Sequence, residues 1–115
     1  MSVLQRPIEQ YETVATWRDG LSKQWGGDPL AEEPEKLTAL AEFCEFVGEE
    51  PDPIVHKCFR VRKSDGETVI SSKWRTIYAD KIKEFRTRAG GNMEARRTAA
   101  AVQSFLIHNG VMIQV

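Results

Sequence analysis

Long apolar runs are missing from this sequence, since the longest one covers only the four residues 99–102. A helix that crosses a membrane needs about 20 such residues, so no membrane partner is predicted. The N-terminal residues Met-Ser-Val-Leu-Gln-Arg-Pro also lack the basic segment and apolar core of a secretory signal. These two absences predict a soluble chain with a cytoplasmic location.

Cysteine and histidine are scarce, with two residues of each type. Cys44 and Cys58 are too few for a disulfide framework and too far apart for a redox pair. Structural zinc sites usually contain short ligand pairs, and here only His56 and Cys58 are close in sequence. We therefore expect two reduced, buried thiols and no metal or other cofactor.

Signatures of catalysis are absent as well. The chain has no Gly-x-Ser-x-Gly nucleophile motif, and its two histidines have no catalytic setting in the sequence. The glycine pairs at 26–27 and 90–91 are isolated and lack the pattern of a phosphate-binding loop, so we interpret them as helix stops. The chain by itself is not predicted to be an enzyme.

A helical pattern is the main feature that is present. The 115 residues are 41% hydrophobic, which is enough for the core of one domain. Apolar residues recur every three or four positions in segments separated by Gly and Pro. The predicted helices cover about 8–24 and 35–47, a stretch capped by Ser71 or Ser72 that continues to the break at 89–91, and 92–108, with another after Asp52, which could cap it. Residues 59–70 could form a short hairpin instead. The predicted fold is an all-α bundle of four to five helices.

Charge is distributed unevenly along the chain, although its net value is only −1. Residues 1–55 contain four basic and twelve acidic side chains, whereas residues 56–115 contain twelve basic and five acidic ones. A basic surface of this kind is typical of polyanion binding, because Lys and Arg displace counterions from phosphates. The alternative is that acidic helices simply pack against basic ones.

The last predicted helix carries a polar line that could read DNA. Asn92, Arg96, Ala99 and Gln103 follow one another at spacings of four, three and four, away from the apolar stripe. Arg bonds guanine and Asn or Gln bonds adenine, while Arg97 is angled toward a flanking phosphate. The alternative is a solvated surface without a partner.

Three segments in this order resemble a known domain. They are LAEFCEFVGEEPD at 40–52, an amphipathic basic helix ending near Phe85, and ARR followed by AVQSFLIHNG within 95–110. This arrangement resembles the core-binding domain of tyrosine recombinases, the phage-type and archaeal integrases. The resemblance covers nearly the whole chain, from about Tyr11 onward.

The resemblance implies a compact orthogonal bundle of the SAM-like type and a role in DNA integration or recombination. Residues 1–115 would form one half of a clamp around double-stranded DNA and would contact neighbouring recombinase protomers. The second helix would contribute to this contact, with Lys36 and Thr38 as weak matches to the polar residues that family members place there. The catalytic residues, including the nucleophilic Tyr, would belong to the protein's own catalytic domain, expected after residue 115.

Two other functions are compatible with the sequence. The chain could be a helical protein-interaction module whose acidic and basic halves attract complementary surfaces. It could also be a stand-alone regulatory protein without a catalytic half. DNA binding predicts an affinity that falls steeply with salt.

Overall fold

The chain folds as a set of helices with one small hairpin. The computed structural model describes residues 2–115, and within them an all-α fold is confirmed. A 3-10 turn at Ile8–Gln10 precedes helices α1 (Glu12–Trp25), α2 (Pro29–Glu32), α3 (Glu35–Val47) and α4 (Pro51–Lys57). Strands β1 (Phe59–Val61) and β2 (Thr68–Ile70) follow, and then helices α5 (Ser72–Arg88) and α6 (Met93–His108).

Most helix ends are set by the local residues that the sequence offers. Gly48 ends α3 in the left-handed conformation, with φ 74°. The Ser71 hydroxyl accepts a hydrogen bond from the Trp74 amide and caps α5. Asn92 Oδ1 accepts one from the Ala95 amide at 2.8 Å and caps α6. The predicted bounds of α3, α5 and α6 are confirmed for this reason.

The start of α1 differs from the prediction. The helix begins at Glu12 rather than near Ile8, because Tyr11 is extended, with ψ 140°, and its ring is buried in the core. The prediction that Asp52 caps the helix after it is wrong. Its carboxylate instead accepts hydrogen bonds from the amide and hydroxyl of Thr13, in the first turn of α1.

The sequence left one short element undecided, the hairpin, and did not predict another, helix α2. The region 59–70 contains the hairpin, whose strands pair antiparallel with Phe59 opposite Ile70. Arg62 forms an ion pair with Asp65 in the turn of this hairpin. Helix α2 was not predicted, although Asp28 caps it by accepting a hydrogen bond from the Ala31 amide.

Helix α6 lies at the centre of the bundle, where it packs against α1, α3 and α5. Trp17 of α1 is buried against Phe105, with the ring centroids 5.6 Å apart in an edge-on arrangement. Its indole donates a hydrogen bond to the Ser104 hydroxyl at 3.1 Å. The segment after α6 folds back on the bundle and buries Val111 and Ile113. Only part of the surface of α6 is therefore free.

Residues 49–52, which we call the acidic turn, comprise the end of the connection from α3 and the first two residues of α4, and they hold three other parts of the chain. The Tyr78 hydroxyl donates a hydrogen bond to Glu49 at 2.7 Å, and the Tyr11 hydroxyl donates one to Glu50 at 2.8 Å. Asp52 accepts the two bonds from Thr13. The carboxylates of this turn thus attach α5, the N-terminal segment and α1 to one point.

Candidate nucleic-acid interface

The N-terminal half of α6 is the exposed part of this central helix. Arg96, Arg97 and Ala100 are exposed there, and the side chain of Met93 is 65% exposed. The C-terminal half is enclosed, since Val102, Phe105 and Leu106 are buried. Helix α6 thus presents its first turns to solvent, at the end capped by Asn92.

Charged groups from the two halves of the sequence hardly pair with one another. Within residues 2–115, the only ion pair that joins the acidic half to the basic half is that of Lys57 with Glu49. Over the same residues, Arg96 and Arg97 form no ion pair. The two guanidinium groups of α6 are therefore not held in ion pairs by these residues.

Two of the predicted site residues meet in a groove between α3 and α6. Lys36 and Arg97 line this groove, which has a volume of about 600 Å³ and which we call the α3 groove. Glu33 holds the Lys36 ammonium at 3.1 Å, and Glu35 and Glu94 also line the groove. Its charge is therefore mixed. Thr38 is exposed on α3 but is not among the residues that line the groove.

The predicted polar line along α6 is wrong as a continuous surface. Ala99 is buried, so it cannot face a DNA groove. Gln103 is half-buried and donates a hydrogen bond to the Ile113 carbonyl at 2.9 Å. Gln103 is covered because the segment after α6 folds back against it. Of the line, Arg96 and Asn92 are exposed, and the Asn92 oxygen already caps the helix.

A second groove, which the sequence-based prediction missed, lies between α5, α6 and residues 112–114. We call it the α5 groove. It also has a volume of about 600 Å³, and Arg75 and Lys83 line it together with Gln103. These two cations are eight residues apart and therefore share one side of α5. The spacing of Arg75 and Lys83 is visible in the sequence. The position of residues 112–114 beside α5 could not be predicted from it.

Neither cysteine has the environment of a nucleophile. Both are free and buried. Burial raises the pKa of Cys44 to about 12, with nearby Glu45 and Glu49 adding to the shift. Burial likewise raises the pKa of Cys58 to about 11. Both thiols therefore stay neutral at ordinary pH, and a reactive thiolate is not formed.

The described part of the chain has no group of three or more His, Cys, Asp or Glu side chains arranged to hold a metal ion. Over residues 2–115, no helix combines the length and the apolar character that crossing a membrane requires. No protein-family model, no curated protein and no solved structure matches the chain. The resemblance to recombinase core-binding domains stays a prediction.

Proposed function

We propose that this chain is a double-stranded DNA-binding domain that presents the N-terminal half of α6 to the duplex. The observation that carries the proposal is the position of Arg96 and Arg97. Both are exposed on the outward half of a helix that is otherwise enclosed, and neither forms an ion pair in residues 2–115. Guanidinium groups bond guanine edges and phosphate oxygens, often in a bidentate way.

Presentation of a helix by its first turns supports the same proposal. Helix-turn-helix proteins contact base edges with the N-terminal residues of their recognition helix. In α6, Ala100 follows the arginines and is exposed. Its small side chain would allow the helix to approach a groove of the DNA closely. Lys36 and Thr38 would then contact flanking phosphates from α3. Asn92 would contribute as the cap that orients the first turn.

The resemblance extends this proposal to site-specific recombination. In this extended proposal, residues 1–115 are the core-binding domain of a tyrosine recombinase and help to clamp target DNA. Strand cleavage would belong to a catalytic domain after residue 115, and neighbouring protomers on the DNA would be further partners. The chain by itself would then be a binding domain rather than an enzyme.

The experiment is a titration of a fluorescein-labelled, mixed-sequence duplex at several salt concentrations. We expect binding at low salt, where phosphate contacts dominate. Replacing both Arg96→Ala and Arg97→Ala should make the plot of log affinity against log salt shallower by about 0.9 for each phosphate that the variant no longer binds. The matched control is Lys23→Ala with Lys81→Ala, which removes the same charge from residues outside the site.

Two results would refute the proposal. One is the absence of duplex binding by the wild-type chain at low salt. The other is an arginine double variant that binds as tightly as the control variant with an equal salt slope.

A protein-interaction module is the second candidate, and exposed apolar side chains favour it. The side chain of Trp25 is 72% exposed at the end of α1, and Met112 is 67% exposed beside the α5 groove. Apolar side chains of this size often anchor protein partners. Binding through them would weaken little as salt rises, whereas DNA binding would weaken steeply.

A further inference from the structure

The α5 groove is a second cationic surface next to α6. Arg75 and Lys83 line it from α5, Gln103 lines it from α6, and Met112 lines it from the segment after α6. Lys83 is exposed and Arg75 is half-buried. Both cations therefore border an open groove in which a ligand could reach them.

The charge of this groove is positive, unlike that of the α3 groove. Within residues 2–115, neither Arg75 nor Lys83 forms an ion pair, and Asp80 is the one carboxylate among the lining residues. In the α3 groove, by contrast, three carboxylates accompany two cations. An anionic partner would thus be attracted more strongly to the α5 groove than to the α3 groove.

Position along α6 connects the α5 groove to the proposed interface. Gln103 is seven residues after Arg96, so it lies two turns further along the helix, about 10 Å away along its axis, with the buried Ala99 between them. Arg75 and Lys83 are about 12 Å apart along α5. Phosphates of one DNA strand follow one another at about 3.4 Å along the duplex axis, so this span covers several of them.

We infer that the α5 groove holds backbone phosphates of the DNA strand next to the base pairs that α6 addresses, with Arg75 and Lys83 as the contacting cations. This inference rests on the proposed function. It assigns these two residues to binding, and Ala79 lies between them on the same side of α5, four residues from each.

The first test replaces both cations, Arg75→Gln and Lys83→Gln. We expect the salt slope of duplex binding to fall by about two units and the affinity near physiological salt to fall about 30-fold, which is the counterion release of two phosphate contacts. The matched control is Lys81→Gln with Arg88→Gln. These residues also lie on α5 but pair with Glu84 and do not line the groove.

A second variant keeps both cations and gives one of them a partner within the helix. In Ala79→Glu, the new carboxylate lies one turn from Arg75 and one turn from Lys83, so it can pair with either of them. We expect its DNA affinity to fall, but by less than in the double variant because one carboxylate neutralises one cation at a time, while Ala79→Gln binds nearly as wild type. Circular dichroism and thermal unfolding show whether each variant is folded before binding is compared.

The outcomes separate this inference from the proposed function. If the wild-type chain does not bind the duplex, the proposed function fails. If binding depends on Arg96 and Arg97 but the α5 groove variants retain the control's affinity and salt slope, only the groove assignment is overturned. A polyglutamate peptide that binds the groove without affecting duplex binding would also overturn it, because the groove would then receive an acidic protein.

Discussion

The acidic turn and the exposed end of α6 use their charges in opposite ways. In the turn, Glu49, Glu50 and Asp52 each accept hydrogen bonds from a distant part of the chain. At the end of α6, the side chains of Arg96 and Arg97 extend into solvent, and neither pairs with a carboxylate in the residues that the structure describes. Charge in the first region stabilises the fold, and charge in the second is available to a partner.

The carboxylates of the acidic turn are satisfied mainly by hydrogen bonds. They accept these bonds from tyrosine and threonine groups, and within residues 2–115 only Glu49 also pairs with a cation of the basic half, Lys57. The arginines of α6 form no ion pair with the acidic half in these residues. This difference predicts different mutational effects. Changes in the acidic turn should reduce stability, whereas changes at the end of α6 should reduce binding.

The largest expected effect is a loss of stability at alkaline pH. The folded chain raises the pKa of Cys44 to about 12 and that of Cys58 to about 11, whereas an unfolded thiol ionises near 9.0. The unfolded state therefore releases protons first. The contribution of each thiol to stability is complete below pH 9 and falls by about 1.4 kcal/mol per pH unit between pH 9 and the pKa of that thiol in the folded chain. Burial and the bond to Glu49 also raise the pKa of Tyr78, which adds to the loss at higher pH.

Urea unfolding in the presence of reductant measures this slope directly. In the variant Cys44→Ala, the plot of the free energy of unfolding against pH should be less steep than in wild type. The difference in slope should correspond to about one proton. The lower starting stability of this variant does not affect the comparison, because only the slope is used. An unchanged slope would contradict the buried, protonated state of this thiol.

The second effect concerns Glu49, which accepts a hydrogen bond from the Tyr78 hydroxyl and forms an ion pair with Lys57. Glu49→Ala leaves the buried hydroxyl without an acceptor, so we expect a loss of about 2–3 kcal/mol in the free energy of unfolding. The matched control is Glu42→Ala on the exposed face of α3, which should change it by less than about 0.5 kcal/mol. Equal effects of the two changes would mean that the acidic turn does not stabilise the fold.

A smaller effect is expected for Asp52, whose carboxylate accepts hydrogen bonds from the amide and hydroxyl of Thr13. Because this arrangement resembles an N-cap supplied from another helix, Asp52→Ala should cost about 1–2 kcal/mol. The loss should be visible as faster amide hydrogen exchange at Thr13 and Val14, in the first turn of α1. Glu12→Ala removes an exposed carboxylate from the same turn and should have a weaker effect. Unchanged exchange at Thr13 would contradict the cap.

Local patterns predicted those parts of the fold that depend on neighbouring residues. The bounds of α3 follow from the apolar period and from Gly48, and the start of α6 follows from the side chain of Asn92. The start of α1 could not be predicted in this way. It depends on the hydrogen bonds of Tyr11 with Glu50 and of Thr13 with Asp52, which form only after the chain has folded.

The candidate site was predictable to a similar extent. Arg96 and Arg97 could be assigned to an exposed face from the helical period of α6 alone. The burial of Ala99 and the hydrogen bond of Gln103 could not, because both depend on how neighbouring segments pack around α6. A helical pattern specifies which residues share a side, but only tertiary packing specifies whether that side is covered.

The smallest effects should occur at the end of α6 and should separate capping from binding. Asn92→Ala removes the acceptor of the Ala95 amide and should cost about 1 kcal/mol, whereas Asn92→Ser retains a capping oxygen and should be nearly neutral. Replacing Arg97→Ala should change stability by less than about 0.5 kcal/mol, since its side chain is exposed and unpaired in residues 2–115. If Asn92→Ser binds the duplex as wild type, then Asn92 acts through the cap rather than through a base. A marked loss of stability in Arg97→Ala would instead mean that this guanidinium supports the fold, and the contrast with the acidic turn would fail.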